Sequence, residues 1–446
     1  MTDIIVVGAG GCGLVAALVA ARKSARVLLL EKTEQAGGGT ALSSRGIRTA
    51  GTRIQQVAKV EDSPAQYADD ILRRNNNESD AALTRRLTET SGPMADFLAD
   101  VVGIRFQLGE FLFGHSTRRS HSWQEDKAIT DFLYEAVLAE ERIEVRFSTP
   151  VLSLEQDTGG AVTGVMTANG LIHARKVILA SGGFGASQEL LSRYIPKAVD
   201  IPFPGHHGST GDGIKMGLAA GATTANMEAF QPYPAYIGPG KRSVSPEVIL
   251  SGGIMVDLAG KRFVDETQYP GGLSTKILDL PGKQAYEIFD DRIYRLHQDI
   301  LKNFLSAGLL KRAQAPKELA SQLGIDKGGL QQTILDYNSV RDGGNDVFGR
   351  ALPESLEDPF YGIAVKVALY HTQGGLNINP NGQVLRSDGS IIPNLYAGGG
   401  AATGVSGTGL AGYLPGNGQL ASLGLGMISG EHAVNALGTE TITITD

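Results

Sequence analysis

Residues 3–8, DIIVVG, form an unbroken apolar, β-branched run without alternation. Such a run predicts a strand buried on both faces of a parallel sheet. GAGGCGLVAALVAARKSA follows, small and apolar all round, and predicts a tight turn opening a buried helix. RVLLLEK is then a second buried strand that ends in an acid. Strand, turn, helix and strand within about 30 residues make a βαβ unit. From 64 to 101 apolar residues recur three and four apart, and DKAITDFLYEAVLAE repeats that spacing, so both are predicted amphipathic helices. IEVRFSTPVLSLEQDTGGAVTGVMTANGLIHARKVILAS shows short alternating runs broken by DTGG and ANG. It predicts an antiparallel meander whose last strand, KVILAS, returns to the parallel sheet.

The pattern changes between about 233 and 364. QAYEIFDDRIYRLHQDILKNFLSAG reads as helical, polar loops separate the segments, and glycine motifs of the phosphate-binding type are missing. This predicts an inserted second domain, 233–364, within a first domain made of 1–232 and 365–446. The remainder resumes short strands with NPNG and SDG turns, and closes on a helix within GNGQLASLGLGMISGEHAVNAL. The fold class expected is α/β: a Rossmann-like dinucleotide-binding domain with an inserted α+β domain.

Composition narrows the function. The chain of 446 residues is 42% apolar, enough for two cores, and its 59 glycines are about twice the usual share of roughly 7%. They lie in short motifs without a period, so close approach of backbone to a ligand is the expected reason. A net charge of −7 without a basic stripe argues against nucleic acid. The single cysteine, Cys12, precludes an internal disulfide and fits a reducing compartment. With no charged leader and no apolar run of about 18 residues, no membrane span and a cytoplasmic location are expected. The dispersed histidines suggest no metal site.

Gly8, Gly10 and Gly13 form G-x-G-x-x-G between the first strand and helix. They serve the tight turn, the approach of a pyrophosphate, and close helix–strand packing, in that order. Glu31, ending the second strand, is placed to bond ribose hydroxyls, which favours FAD or NAD over NADP. FAD is preferred because EKTEQAGGGTALSSRGI sets glycines and small hydroxyls beyond that acid, where a long dinucleotide could lie. ILASGGFGAS, GSTGDGIKMGLAAGA and NLYAGGGAATG add glycine turns; His206 and His207 read as loop residues there.

VVGAGGCGLVAA…LLEK, VILASGGFGA, STGDGIKMGLAAGA, TQGGLNINPNGQVL…IPNLYAGG and GGIMVDLAGKRFVDE together resemble the flavoprotein family of soluble fumarate reductases, succinate dehydrogenase flavoprotein subunits and 3-ketosteroid dehydrogenases. The resemblance covers nearly the whole chain. It implies an FAD domain and a mobile cap with substrate between them. Cofactor contacts are expected at Gly8, Gly10, Gly11, Gly13, Glu31 and Lys32, and in the following loop at Gly38, Gly39, Thr40, Ala41, Ser44 and Gly46. Others are expected at Val151, Ala180, Ser181, Gly182, Asp212, Gly399, Gly400, Asn417, Gly418 and Leu420. The loop GGGTALSS lacks the histidine that links FAD covalently in some members, so a non-covalent cofactor is expected.

At the positions where the family's fumarate reductases hold a dicarboxylate, this sequence differs. The family's Q-x-H-P becomes QPYP, with Tyr233 in place of the histidine; T-T-R-D becomes TQYPG, with Tyr269 nearby and no arginine. HTQGG keeps His371. N-R-L-G-G-N becomes GYLPGN, with Tyr413 replacing a substrate-binding arginine and Gly416 and Asn417 beside it. Losing guanidinium forks disfavours a dicarboxylate, whereas a phenol suits a ketone oxygen. The pattern resembles 3-ketosteroid dehydrogenases, implying Tyr269 as base and Tyr413 as the donor to the ketone. FGHSTRRSHSWQE supplies His115, Arg118, Arg119 and His121. These either brace the FAD loop or bind a substrate carboxylate, as in a small keto acid such as 4-oxocyclohexanecarboxylate.

The expected activity is therefore desaturation of a cyclic ketone, with oxygen or a quinone-like compound as electron acceptor. An enoate or enone reductase is the alternative, and a flavin-binding redox sensor the alternative of another class.

Overall fold

The computed structural model describes residues 2–438, except 113, 239–241, 269–270, 341–345 and 352–353. The chain divides into two compact units: Met1–Pro196, Gly205–Phe230 and His371–Asp446 form one, and Lys197–Pro204 with Gln231–Tyr370 the other.

The first unit is built on an eight-stranded sheet. Thr2–Val7 lies between Val27–Leu30 and Gly170–Leu179, parallel to both, with Ile5 opposite Leu28 and Val177. Ile391–Ala397 extends the parallel set beyond Gly170–Leu179, and Ile143–Arg146 extends it beyond Val27–Leu30. A strand so enclosed has no solvent face, which is why DIIVVG shows no alternation. Val151–Gln156 and Val162–Thr167 form the antiparallel meander leading into Gly170–Leu179.

The first helix, Gly11–Arg22, is buried from Gly11 to Ala21 and packs against the C-terminal helix, Leu425–Leu437. Small residues make that approach possible. A Cβ on Gly426 would stand 2.4 Å from the Cys12 carbonyl oxygen, and one on Gly430 2.6 Å from that of Ala16. Part of the C-terminal glycine richness therefore serves helix–helix contact instead of a ligand. Cys12 sits inside this packing, and burial pushes its thiol up to about 12, leaving it inert.

The second unit carries a largely antiparallel six-stranded sheet in which Gln284–Asp290 pairs with both Ile254–Val256 and Phe360–Thr372. Its helices include Gln298–Ser306, Pro316–Leu323 and Lys327–Ser339. The helical reading of QAYEIFDD is corrected here: that segment is a central strand, buried from Ala285 to Asp290. Glu287 is the cause, since an acid within a two-sided buried strand breaks the apolar run that identifies one.

Glu287 is 1% exposed, its Oε2 has no hydrogen-bond partner among the described residues, and burial pushes its pKa up to about 8. The folded protein thus keeps a proton that the unfolded chain releases above about pH 4.5. Stability should fall as pH rises from about 4.5 to 8, by on the order of 3 kcal/mol by pH 7. Glu287→Gln should remove that slope. Urea midpoints measured at pH 5 and pH 8 check it: the variant's advantage should appear at pH 8 and shrink at pH 5.

Candidate active site

The turn after the first strand has the shape of a pyrophosphate cradle. Gly8 has φ +107°, and a Cβ there would meet the Ala180 carbonyl oxygen at 2.5 Å. A Cβ on Gly13 would stand 1.8 Å from the Gly8 carbonyl oxygen, so helix and strand touch through backbone. At Gly10, chain neighbours aside, the one atom among the described residues within 4 Å of such a Cβ is the Gly37 carbonyl oxygen, at 3.9 Å, so the space beside it is open. The helix beginning at Gly11 has no side-chain cap, which leaves its first N–H groups for an anion. Glu31 is 8% exposed; it accepts from the Ala9 N–H at 2.8 Å and from the Thr33 N–H and hydroxyl at 2.8 Å each. Those bonds hold the carboxylate at the strand end, with acceptor capacity left for ribose hydroxyls.

Gly38–Leu42 is a short 3₁₀ turn containing Gly38, Gly39, Thr40 and Ala41, and nothing lies within 4 Å of a Cβ built on Gly39. Thr40 Oγ1 meets Ser422 Oγ at 3.2 Å, and the Ser44 carbonyl accepts from Gln419. Gly46 opens the strand Gly46–Arg48. Lys32 is paired with Asp212 at 2.6 Å, so these two expected cofactor residues hold each other. Ala180, Ser181 and Gly182 follow the strand Gly170–Leu179, with Ser181 Oγ accepting from the Gly213 N–H. Gly399 and Gly400 follow Ile391–Ala397, Val151 begins a meander strand, and Leu420 is buried where the helix from Asn417 widens into a π turn. Open space beside Gly10 and Gly39, an uncapped helix and a fixed ribose acid fit FAD.

Around Tyr413 the first unit gathers a second set of groups. Tyr413 is 8% exposed, and His371 lies edge-on to its ring at 5.7 Å. Burial raises the phenol's pKa; the N–H of Gly418, the charge of Arg48 and the N–H of Gly416 pull the other way. The phenol oxygen therefore lies at the positive start of the helix that begins at Asn417. N–H groups aimed at that oxygen make its own O–H a stronger donor.

His371 is set by a directional chain. Asn417 Nδ2 donates to Ser406 Oγ at 3.2 Å, Ser406 Oγ to Gln373 Oε1 at 2.9 Å, and Gln373 Nε2 to His371 Nδ1 at 2.9 Å. Nδ1 also lies 3.3 Å from the Thr372 carbonyl, and a ring proton on Nε2 is the tautomer that accepts from Gln373. Burial pushes the His371 pKa down to about 4, so near neutral pH it is an uncharged donor. Asn417 is fully buried with its Oδ1 unpartnered among the described residues, and Tyr67 Oη is likewise a second buried orphan nearby. Unsatisfied buried polar atoms gathered in one place are what a ligand site presents without its ligand.

Sequence reasoning named Tyr413, His371, Gly416 and Asn417, and the structure brings them together. It did not single out Gln373 or Ser406, although HTQGG contained the first. Nor did it name Arg48, which stands two residues beyond Gly46. Tyr269 lies outside the described residues.

Four residues expected to meet the substrate are corrected. Arg119 has no exposed side-chain surface and forms ion pairs with Asp62 at 2.7 Å and with Asp70. His121 is fully buried, with ring nitrogens 3.0 Å from Thr49 Oγ1 and 2.8 Å from Thr52 Oγ1. Both are saturated by protein partners, so they brace the loop. Arg118 bonds the Gly109 and Leu108 carbonyls and likewise ties down its own segment. Tyr233, in the second unit, donates to the Val244 carbonyl at 2.8 Å and stacks on Tyr370 at 4.8 Å, so its O–H is not available to a ketone.

Among the described residues no helix is long and apolar enough to cross a membrane. The FAD binding domain family model matches residues 3–419. Fumarate reductase (cytochrome) of Shewanella frigidimarina is 31% identical over 443 residues, covering 97% of this chain and 76% of that protein. Urocanate reductase of Eggerthella lenta is 31% identical, covering 89% of this chain and 69% of its own. NADH:fumarate oxidoreductase of Klebsiella pneumoniae (strain 342) is also 31% identical over 91% of this chain, which spans only 45% of its length. Among solved structures, the open conformation of a flavocytochrome c3 fumarate reductase superposes with a TM-score of 0.83 at 28% identity, covering 97% of this chain and 78% of that one. A 3-ketosteroid-Δ4-(5α)-dehydrogenase from Rhodococcus jostii RHA1 does so at 0.81 and 25%, covering 97% and 96%. With the cradle, the ribose acid and this match over almost its full length, the chain belongs to the FAD-binding oxidoreductase family of the fumarate reductase flavoproteins, and FAD is its cofactor.

Proposed function

We propose that this enzyme acts on a CH–CH bond, desaturating the position α,β to the carbonyl of a cyclic ketone. One observation carries the reading: a buried phenol, Tyr413, stands at a helix start beside a neutral His371 donor. Neutral donors of this kind suit a carbonyl oxygen that gains charge as its α-proton leaves. The 3-ketosteroid dehydrogenase among the solved structures supports the same substrate class.

In this reading Tyr413 donates to the ketone oxygen and stabilises the developing enolate, with His371 Nε2–H as a second donor within the site. Tyr269 is proposed as the base that takes the α-proton; a tyrosine near pKa 10 needs a neighbouring group to assist it. FAD, when bound, supplies the acceptor for the β-hydrogen, which leaves as hydride. The ketone thereby loses two hydrogens and two electrons and becomes the enone. Turnover then needs an electron acceptor, oxygen or a quinone-like compound. The unit containing 231–370 is proposed as the substrate cap, and the FAD as non-covalently held, since the loop after Glu31 has no histidine.

The names of the relatives support a second reading, the same step run backwards as an enoate or enone reductase. Anaerobic mixing of the oxidised holoenzyme with cyclohexanones and oxo acids tests the first. Bleaching of the flavin's visible band, with enone formed in equal amount, is expected. If no saturated ketone bleaches it while an enone or enoate reoxidises the pre-reduced enzyme, the reductase reading replaces it.

A further inference from the structure

Arg119, the buried cation expected to meet a substrate, is neutralised within the fold, and a different arginine is left without a carboxylate among the described residues. Arg48 ends the strand Gly46–Arg48, which pairs with Ser120–Ser122. Its Nη1 donates to the Gly46 carbonyl at 2.6 Å, while its Nε is buried with no hydrogen-bond partner among the described residues. Among the described residues it forms no ion pair. The contrast with Arg119 is direct: two carboxylates neutralise that guanidinium, and none among the described residues neutralises Arg48. A guanidinium carries five donors, and an unpaired charge with little water around it is costly to keep. Burial accordingly draws the Arg48 pKa below its ordinary value.

The position of the side chain is fixed by the Tyr413 loop. Gly416 has φ +103°, and a Cβ there would stand 2.8 Å from Arg48 Cδ and 2.9 Å from its Cβ and Cγ. The arginine stem therefore lies across the backbone of Gly416, at the helix start that carries Tyr413 and Asn417. Tyr413 and Tyr67 both lie within electrostatic reach of the guanidinium, and Tyr67 Oη and Asn417 Oδ1 are orphaned as well. His115 donates its Nε2–H to the Pro415 carbonyl at 2.9 Å and is pushed down to about 4 by burial, so it adds no charge near neutral pH.

We propose that Arg48 recognises a carboxylate on the substrate, which makes the substrate an anionic cyclic ketone, an oxo acid, and not a neutral steroid. The assignment rests on the ketone reading of the Tyr413 site. The planar guanidinium offers a carboxylate paired donors in a fixed geometry, beside the neutral groups Tyr413 and His371. A second arginine at this loop, Arg74, gives its Nε–H to the Tyr413 carbonyl at 3.5 Å, and the ketone is left to the Tyr413 phenol.

The test uses the flavin-loaded enzyme, the Arg48→Gln and Arg48→Lys variants, and two measurements. Calorimetric titration with cyclohexanecarboxylate, which has no ketone and cannot be turned over, reads anion binding alone. Steady-state rates on 4-oxocyclohexanecarboxylate and its methyl ester read discrimination. Arg48→Gln should weaken cyclohexanecarboxylate by on the order of 10-fold or more. It should also lower the acid-to-ester ratio of kcat/KM by a similar factor, mostly through KM, and Arg48→Lys should recover part of both. Equal carboxylate affinity in wild type and Arg48→Gln overturns the proposal. So does a variant that loses flavin while its acid-to-ester ratio stays at the wild-type value, which would assign Arg48 to the cofactor. Arg48-dependent binding of cyclohexanecarboxylate in an enzyme that no ketone bleaches supports the anion site and rejects the ketone reading instead.

Discussion

Tyr413→Phe should lower the rate of flavin bleaching by a ketone substrate by on the order of 10²- to 10³-fold, with flavin content unchanged. The substitution keeps the ring that packs edge-on to His371 and removes only the hydroxyl. The N–H groups of Gly418 and Gly416 favour negative charge on the phenol oxygen, which in the proposed role strengthens its O–H as the donor to the ketone. A phenylalanine supplies no donor at the moment the enolate develops. Because the interaction strengthens in the transition state, the loss should fall on kcat and kcat/KM together, with KM little changed. Anaerobic stopped-flow measurement of a single turnover isolates the step. A variant within about threefold of wild type would remove Tyr413 from the proposed role and leave it as a residue of the helix start.

A fold-level loss of about 3–5 kcal/mol is expected from Arg119→Met. The side chains of Asp62 and Asp70 are 0% and 1% exposed, and removing the guanidinium leaves both carboxylates under-paired in a place where water cannot replace it. Burial works to raise the Asp70 pKa, yet bonds from Arg119 and from the N–H and hydroxyl of Ser116 outweigh it and hold the carboxyl below its usual range. A depressed carboxyl contributes stability that is present above the unfolded pKa and lost as pH falls through the folded one. The deficit of Arg119→Met relative to wild type should therefore be largest near neutral pH and narrow in acid. Urea unfolding followed by far-ultraviolet circular dichroism at pH 7 and pH 4 measures it. Preserved stability combined with a raised KM would instead restore Arg119 as a substrate residue.

Much of the cofactor site was legible along the chain because its determinants are local. Gly8, Gly10 and Gly13 act through turn conformation and the absence of a Cβ within one short segment, and Glu31 follows one strand later. The enclosed strands of the parallel sheet were equally plain, since burial on both faces leaves a continuous apolar run. QAYEIFDD was misread because Glu287 occupies a buried strand position, and nothing beside it in sequence marks that acid as one kept neutral.

The side chains of the candidate site divide along the same line. Tyr413 and His371 could be picked out by residue type within a recognisable stretch. Arg119 and Arg48 could not be told apart that way: both are arginines close to glycine-rich loop sequence. Arg119 meets Asp62 and Asp70 across separations of 57 and 49 residues, whereas Arg48 meets no carboxylate among the described residues. The sequence by itself determined the dinucleotide fold, the cofactor and the phenol in place of an arginine, because each depends on residue type at short range. Only the tertiary structure decided which charges are spent on the fold and which are left for a ligand, because a guanidinium's partners are chosen by folding and not by neighbours in the chain.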